Sequence, residues 1–398
     1  MNNLSIKSLL LLGVGLLSAV LLLACSGGSG AASLGTLALQ LTDSAACGYD
    51  HVYVTVDHVD ISSNNGSNWT SIPVTPGTGQ IDLLTLTNGK TLPLAYAILS
   101  AGTYNQMRLV LVSNSTTPNA NSVVLTGSSS VIPLTTPSAQ QSGFKLNLQG
   151  PITVKAGTQD SEVMDFNACK SIVVAGNSGQ YILKPVVTAT AVAVAGSITG
   201  TITGGAGAMV YAEYPGTSTT APVIINGTVA DTNGNFTLYP VPTSSVGGNV
   251  DVVIAAAQPA PPATTSVPLI PTYIVQNVVV TGVNSLGTIA PATSSMNTVS
   301  GTVSQGANLV ADQTVTSSGR VYEITATMTS AASPYVFSFS LAATGPQVAL
   351  YSTTSPLTFT ADTADAGNYT IIATDANGGT GSQTVIGAAS GVIFTLNP

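Results

Sequence analysis

Beyond residue 35 the chain alternates apolar and polar positions with a period of two, in short runs punctuated by Gly, Asn, Pro and Ser. Leu37-Ala-Leu-Gln-Leu-Thr-Asp43 is the first such run. His51-Val-Tyr-Val-Thr-Val-Asp-His-Val-Asp-Ile61 is the clearest: Val52, Val54 and Val56 share one face, and His51, Tyr53, Thr55 and Asp57 the other. Asn64-Asn65-Gly66 and Asn88-Gly89 supply turn chemistry. Further strands are predicted within 69–74, 81–87, 99–112, 123–125, 131–134, 143–148, 152–154, 161–174 and 181–187. About ten short strands at this spacing predict a β-sandwich over 35–194. No long helical period appears after residue 30.

The distal half repeats itself weakly. Gly196-Ser-Ile-Thr-Gly-Thr-Ile-Thr203 is similar to Asn297-Thr-Val-Ser-Gly-Thr-Val-Ser304. Asp231-Thr-Asn-Gly-Asn-Phe-Thr-Leu238 is similar to Asp365-Ala-Gly-Asn-Tyr-Thr-Ile371, one residue shorter. Two more β-sandwich modules are expected, over 195–292 and 293–398, with a loop around Pro261-Pro262. The fold class is therefore all-β, as tandem Greek-key sandwiches.

The N-terminus is different in kind. Residues 9–24 are apolar except for Gly13, Gly15 and Ser18; Lys7 precedes them and Cys25-Ser-Gly-Gly-Ser-Gly30 follows. A charged start, an apolar middle and a small residue before the cut predict a signal peptide over 1–24. A membrane span, which needs about 20 apolar residues, is the competing reading. Leu22-Leu-Ala-Cys25 resembles the lipobox of bacterial lipoproteins, whose cysteine is acylated before cleavage. That resemblance implies a lipid anchor, diacylglyceryl and palmitate, on Cys25. Residues 25–34 then form a flexible tether, and Ser26, where aspartate would retain such a lipoprotein at the inner membrane, favours the outer one.

Charged residues make up only 6% of the 398, against 44% hydrophobic. That excludes a disordered acidic chain and a nucleic-acid binder. Residues 26–194 carry six Lys/Arg and eight Asp/Glu, whereas 195–398 carry Arg320 alone against eight acids. The shift marks a boundary near Val194 and argues against anionic partners for the distal half. With Cys25 acylated, Cys47 and Cys169 remain in an oxidising envelope. A disulfide between them closes a long loop and contributes about 4–5 kcal/mol on the loop-entropy model; two buried thiols are the alternative.

A wider resemblance rests on the order of several motifs: L-T-D (41–43), Y-D-x-V-Y-V-T-V-D-x-V (49–59), I-D-L-L-x-L-T-N-G (81–89), A-G-T-Y-N-Q-x-R-L-V-L (101–111), D-F-N-A-C-K-S-I-V (165–173) and Y-I-L-K-P-V (181–186). Over about 35–190 the chain resembles bacterial surface lipoproteins that share a domain of unknown function. The resemblance implies an exported β-sandwich with no established activity. The first distal module, with Gly-Thr-Ile and D-x-x-G-x-F, resembles carboxypeptidase-regulatory or transthyretin-like modules. Asp365-Ala-Gly-Asn-Tyr369 resembles the tyrosine corner of immunoglobulin-like sandwiches.

Catalytic chemistry is hard to assemble from these residues. His51 and His58 are seven apart in one predicted strand, so strict alternation puts them on opposite faces. Nucleophilic catalysis needs a base and an orienting group together. The carboxylate pairs Asp57/Asp60, Glu162/Asp165 and Asp362/Asp365 are spaced by three, and serve more readily as edge residues or turn caps than as a glycosidase pair. Ca²⁺ is the ion best suited to an exported β module, and Asp43, Asp50 and Asp165 are its candidate ligands; no other metal or cofactor is expected. Trp69 and the tyrosines form either a sugar-stacking platform or core.

The expectation is a non-enzymatic, lipid-anchored envelope protein of the outer membrane, periplasmic or surface-facing, with a structural or display role. A glycan- or protein-binding adhesin is the alternative, and a hydrolase the remotest reading. The membrane is the expected partner, and nucleic acid is not one.

Overall fold

The computed structural model describes residues 33–44, 48–137, 142–175, 178–256 and 269–396. Among these the protein is nearly all β. No helix of the described residues is long and apolar enough to cross a membrane.

The first sandwich packs two sheets. One runs Asn147–Leu148, Val187–Ala191, Gln159–Asn167, Leu34–Ser44 and Leu92–Ser100, with Leu34–Ser44 parallel to Gln159–Asn167. The facing sheet is built on the long strand Tyr49–Ser62. Alternation decides the core: Leu37, Leu39 and Leu41 meet Val52, Val54, Val56, Val59 and Ile61, all buried. Each such side chain contributes about 1.5–3 kcal/mol of transfer free energy.

Strict alternation breaks within Tyr49–Ser62. Val56 and Val59 are both buried, although they are three apart. The register against Gln106–Leu111 slips between Val56 and His58, the mark of a β-bulge. The extra residue turns His58 to the side that His51 occupies, so the expected opposition of the two histidines is lost. The same bulge brings Asp57 and Asp60 to one imidazole, at 2.6 Å from His58 Nδ1 and 3.4 Å from Nε2.

The two distal units share one topology. The strands of the first are Ala195–Ile202, Met209–Tyr214, Val223–Val229, Asn235–Pro242, Val250–Ala255, Tyr273–Val278 and Val283–Ile289. Those of the second are Met296–Val303, Ala307–Val315, Arg320–Met328, Tyr335–Ala342, Asn368–Asp375, Thr380–Ile386 and Ala389–Phe394. In both, one sheet has the order fourth–first–seventh, with the first and seventh strands parallel, and the other third–second–fifth–sixth. The Gly-Thr-Ile and Gly-Thr-Val motifs fall in equivalent first strands. The Asp231 and Asp365 motifs do not correspond: the former leads into a fourth strand, the latter into a fifth. Between its fourth and fifth strands the second unit sends out Gln347–Leu350, which extends the first unit's sheet alongside Tyr273–Val278.

Tyr369 also departs from the tyrosine-corner expectation. Its hydroxyl donates to the Ala342 carbonyl at 3.0 Å, 27 residues upstream on the fourth strand. The strand order differs as well from the ABED/CFG order of immunoglobulin domains. The two distal units also share core residues. Met209–Tyr214 is buried on both faces: Val210 and Ala212 fill its own sandwich, while Met209 and Tyr211 join the core of the second unit.

Candidate functional site

All three sandwiches meet at one buried, acid-rich junction. It begins with Asn167, whose side chain accepts from Lys170 N at 2.9 Å and caps the short helix Ala168–Ser171. The cap positions Lys170, whose ammonium lies 3.0 Å from Glu323 Oε2 of the last sandwich. Glu323 stands directly opposite Asp312 across an antiparallel pair, where like charges repel. Fully buried Glu213, from the middle sandwich, accepts from Glu323 N at 3.1 Å through Oε2.

A second group of polar contacts lies beside the first. Asp165 accepts from Ser44 Oγ at 2.9 Å and from Asn226 Nδ2 at 2.7 Å, so a carboxylate of the first sandwich is bonded by a side chain of the middle one. Asp43 Oδ1 accepts from Ala168 N at 3.1 Å. Gly227 N donates to Ser44 Oγ at 3.3 Å. A cavity of about 60 Å³, bordered by Ser44, Lys170, Tyr211, Asn308 and Glu323, lies between the sandwiches.

Burial dominates the electrostatics. It raises the Asp43 carboxyl well above the carboxylate range, helped by the Asp165 charge. Asp165 is pushed to about 6 by burial, against the pull of its Ser44 and Asn226 hydrogen bonds. Glu213 is raised well above its ordinary value by burial and then by Glu323. Asp312 rises to about 7 for the same two reasons. Asp43 Oδ2, Glu213 Oε1 and Asp312 Oδ1 are buried with no hydrogen-bond partner. Five acids face one lysine here, and the arrangement can hold protons near neutral pH.

The expected Ca²⁺ ligands come together only in part. Asp43 and Asp165 share the junction, but Asp50 is exposed and accepts from Gly127 N at 3.0 Å. Among the described residues no group of three or more His, Cys, Asp or Glu is placed to hold a metal ion. His51 pairs with Asp82 at 2.7 Å, apart from the Asp57–His58–Asp60 group. Asp362 and Asp365 cap one turn, accepting from Ser317 N at 3.0 Å and Thr316 N at 2.6 Å. Half-buried Trp69 has one ring face covered by the Arg108 guanidinium, 4.2 Å from its centroid. Cys25 and Cys47 lie outside the described residues, and Cys169 is described only as backbone in the short helix.

Of the junction's other residues, Lys170 lies inside the 165–173 motif, whereas Glu213, Asp312 and Glu323 belong to none. Their signal was a charge set inside an apolar run, as in Met209-Val-Tyr-Ala-Glu213 and Val321-Tyr-Glu323-Ile-Thr.

The first sandwich has recognisable relatives. Residues 34–185 match DUF4382, a domain of unknown function. The resemblance expected over 35–190 holds to that extent. The DUF4382 domain thus supplies Asp43, Ser44, Asp165 and Lys170 to the junction. No curated protein matches the chain. Among solved structures, a leucine-rich repeat protein from Bacteroides thetaiotaomicron is similar over 65% of this chain and 26% of its own, at 12% identity and a TM-score of 0.17. The chain thus spans about a quarter of that protein's length. A Ca²⁺-stabilized adhesin with which an Antarctic bacterium binds ice is similar over 89% of this chain and 99% of its own, at 10% identity and a TM-score of 0.11. Neither likeness bears on function.

Proposed function

We propose that this chain is a non-enzymatic lipoprotein of the bacterial cell envelope, anchored through Cys25 to the outer membrane and serving as a rigid structural or display body. The observation that carries this reading is the mutual locking of the three sandwiches. Lys170–Glu323 joins first to last, Asp165–Asn226 first to middle, and Asp251–Arg320 middle to last. A body fixed at every junction holds its loops in a set arrangement relative to one another, which suits display. The signal peptide over 1–24, the tether over 25–34 and a Cys47–Cys169 disulfide belong to this proposal. So does the kinship of the distal units to carboxypeptidase-regulatory or transthyretin-like modules.

A second reading, a glycan- or protein-binding adhesin, has its own observation. The segment that the last sandwich sends out borders an open groove of about 820 Å³, with Leu350, Pro356, Thr358, Thr360 and Asp362 along it.

Protease shaving of intact cells separates the two, with a periplasmic marker as control. Degradation before permeabilisation favours the adhesin, and a glycan array of the mature protein then seeks its ligand. Protection until the outer membrane is opened favours a periplasmic structural role.

A further inference from the structure

The five-stranded sheet of the first sandwich ends in the edge strand Leu92–Ser100, and its outer face there is apolar and uncovered. Leu34, Tyr96 and Ile98 are 54%, 57% and 67% exposed. The pairings Thr36 with Ile98 and Ala38 with Tyr96 put these side chains in two adjacent rows on one face. Across the first strand the same rows continue with Gln159 and Ser161. No charged side chain stands in them, in a chain of net charge −8. Asp160, the nearest carboxylate in sequence, pairs in register with Leu37 and so belongs to the opposite face.

Exposed apolar residues also occur on the last sandwich, where Val336 and Ile393 flank Thr302. What separates the two faces is where the chain enters. Leu34 opens the first sheet, and Cys25 stands nine positions before it. Even fully extended, those residues reach about 32 Å. An acyl chain on Cys25 therefore holds the Leu34 end of the body close to the bilayer, and the Val336 face has no such constraint.

We propose that the face bearing Leu34, Tyr96 and Ile98 lies on the lipid surface, with the two aliphatic side chains entering the headgroup region and the tyrosine at its level. The proposal rests on the lipid-anchor reading above. Tyrosine suits that depth because its ring is apolar and its hydroxyl stays wet. The Lys155 backbone runs against Gly35, where an added Cβ would stand 2.1 Å from the Lys155 carbonyl oxygen. Lys155 and Asp160, whose carboxylate accepts from Lys155 N at 2.8 Å, thus lie against the opposite side of that end, and neither stands in the apolar rows.

The test uses the full lipidated protein in vesicles of phosphatidylethanolamine and phosphatidylglycerol with brominated acyl chains. Ile98→Trp and Ile386→Trp are compared, with the native Trp69 signal of the parent protein as background. The added emission of Ile98→Trp is expected to be mostly quenched, and that of Ile386→Trp unchanged. Tyr96→Trp replaces Ile98→Trp if the latter fails to fold. Protein that floats with the vesicles while position 98 stays unquenched overturns the docked face but leaves the anchor standing. Cross-linking of two copies through position 98 on such vesicles likewise assigns the face to a second copy and overturns the proposal. Protein that does not float at all removes the anchor, and the docked face with it.

Discussion

Arg320 sets a guanidinium nitrogen 2.6 Å from Asp251 Oδ2, and this pair couples the two distal sandwiches. Arg320 is the single basic residue of the distal half. Asp251, 2% exposed, also accepts from the Tyr322 hydroxyl at 2.7 Å and from Asn277 N at 2.7 Å. Three donors converge on this buried carboxylate, and removing the arginine takes away the one that carries a charge. Arg320→Met is expected to destabilise the distal pair by about 3 kcal/mol, the low end for a broken buried pair because the arginine is partly exposed. Denaturant unfolding reads the change. A loss under about 1 kcal/mol, the scale of a surface pair, would mean that the bridge contributes nothing beyond its exposed edge.

The junction carboxyls make stability fall as pH rises. Asp165 and Asp312 at the junction, and Glu162 beside Asp160, move from ordinary values of 3.8, 3.8 and 4.5 to about 6, 7 and 7 in the folded protein. The folded state therefore holds more protons than the unfolded one between about pH 4 and 7. Stability that these neutral carboxyls contribute is complete below about pH 4 and lost as pH climbs through their raised values. Melting is expected at a higher temperature at pH 5 than at pH 8. The opposite order would show that these acids are ionised and compensated.

Lys170 offsets that loss, because its charge lowers Asp312 and Glu213. Lys170→Met should leave stability at pH 5 little changed and cost about 1–3 kcal/mol at pH 8, where Asp312, raised to about 7, ionises without the lysine charge beside it. Equal losses at both pH values would reduce Lys170 to a packing residue.

The repeated glycines have a steric reason. Gly200 and Gly301 sit where the parallel pairing of first and seventh strands slips register. A Cβ at Gly301 would stand 1.8 Å from the Val392 carbonyl oxygen, whereas one at Gly200 would meet the Phe236 ring at 2.6 Å. Gly301→Ala is expected to cost about 3 kcal/mol, at the upper end for overpacking, because backbone must move. Gly200→Ala should cost less, since a ring can turn. Thermal melting that ranks the two the other way would contradict the backbone clash.

The alternation of Leu37–Leu41 and Val52–Val56 located the first core from sequence alone, since a half-buried strand must show its period. The Gly-Thr-Ile and Gly-Thr-Val motifs likewise located equivalent strands. His58 was misplaced because a bulge adds a residue without any change in composition. The Asp231 and Asp365 turns were wrongly equated because turn chemistry recurs wherever the chain reverses, whichever strand follows. Glu213 and Glu323 were missed for a further reason: their partners lie 110 and 153 residues away, across contacts that no local pattern encodes.

The most direct measurement is metabolic labelling with a radioactive fatty acid, followed by membrane fractionation of the parent protein and Cys25→Ser. The expected result is label and membrane retention in the parent, and neither in the variant. A variant that stays on the membrane, or a parent that takes no label, would contradict an envelope protein held by acylated Cys25.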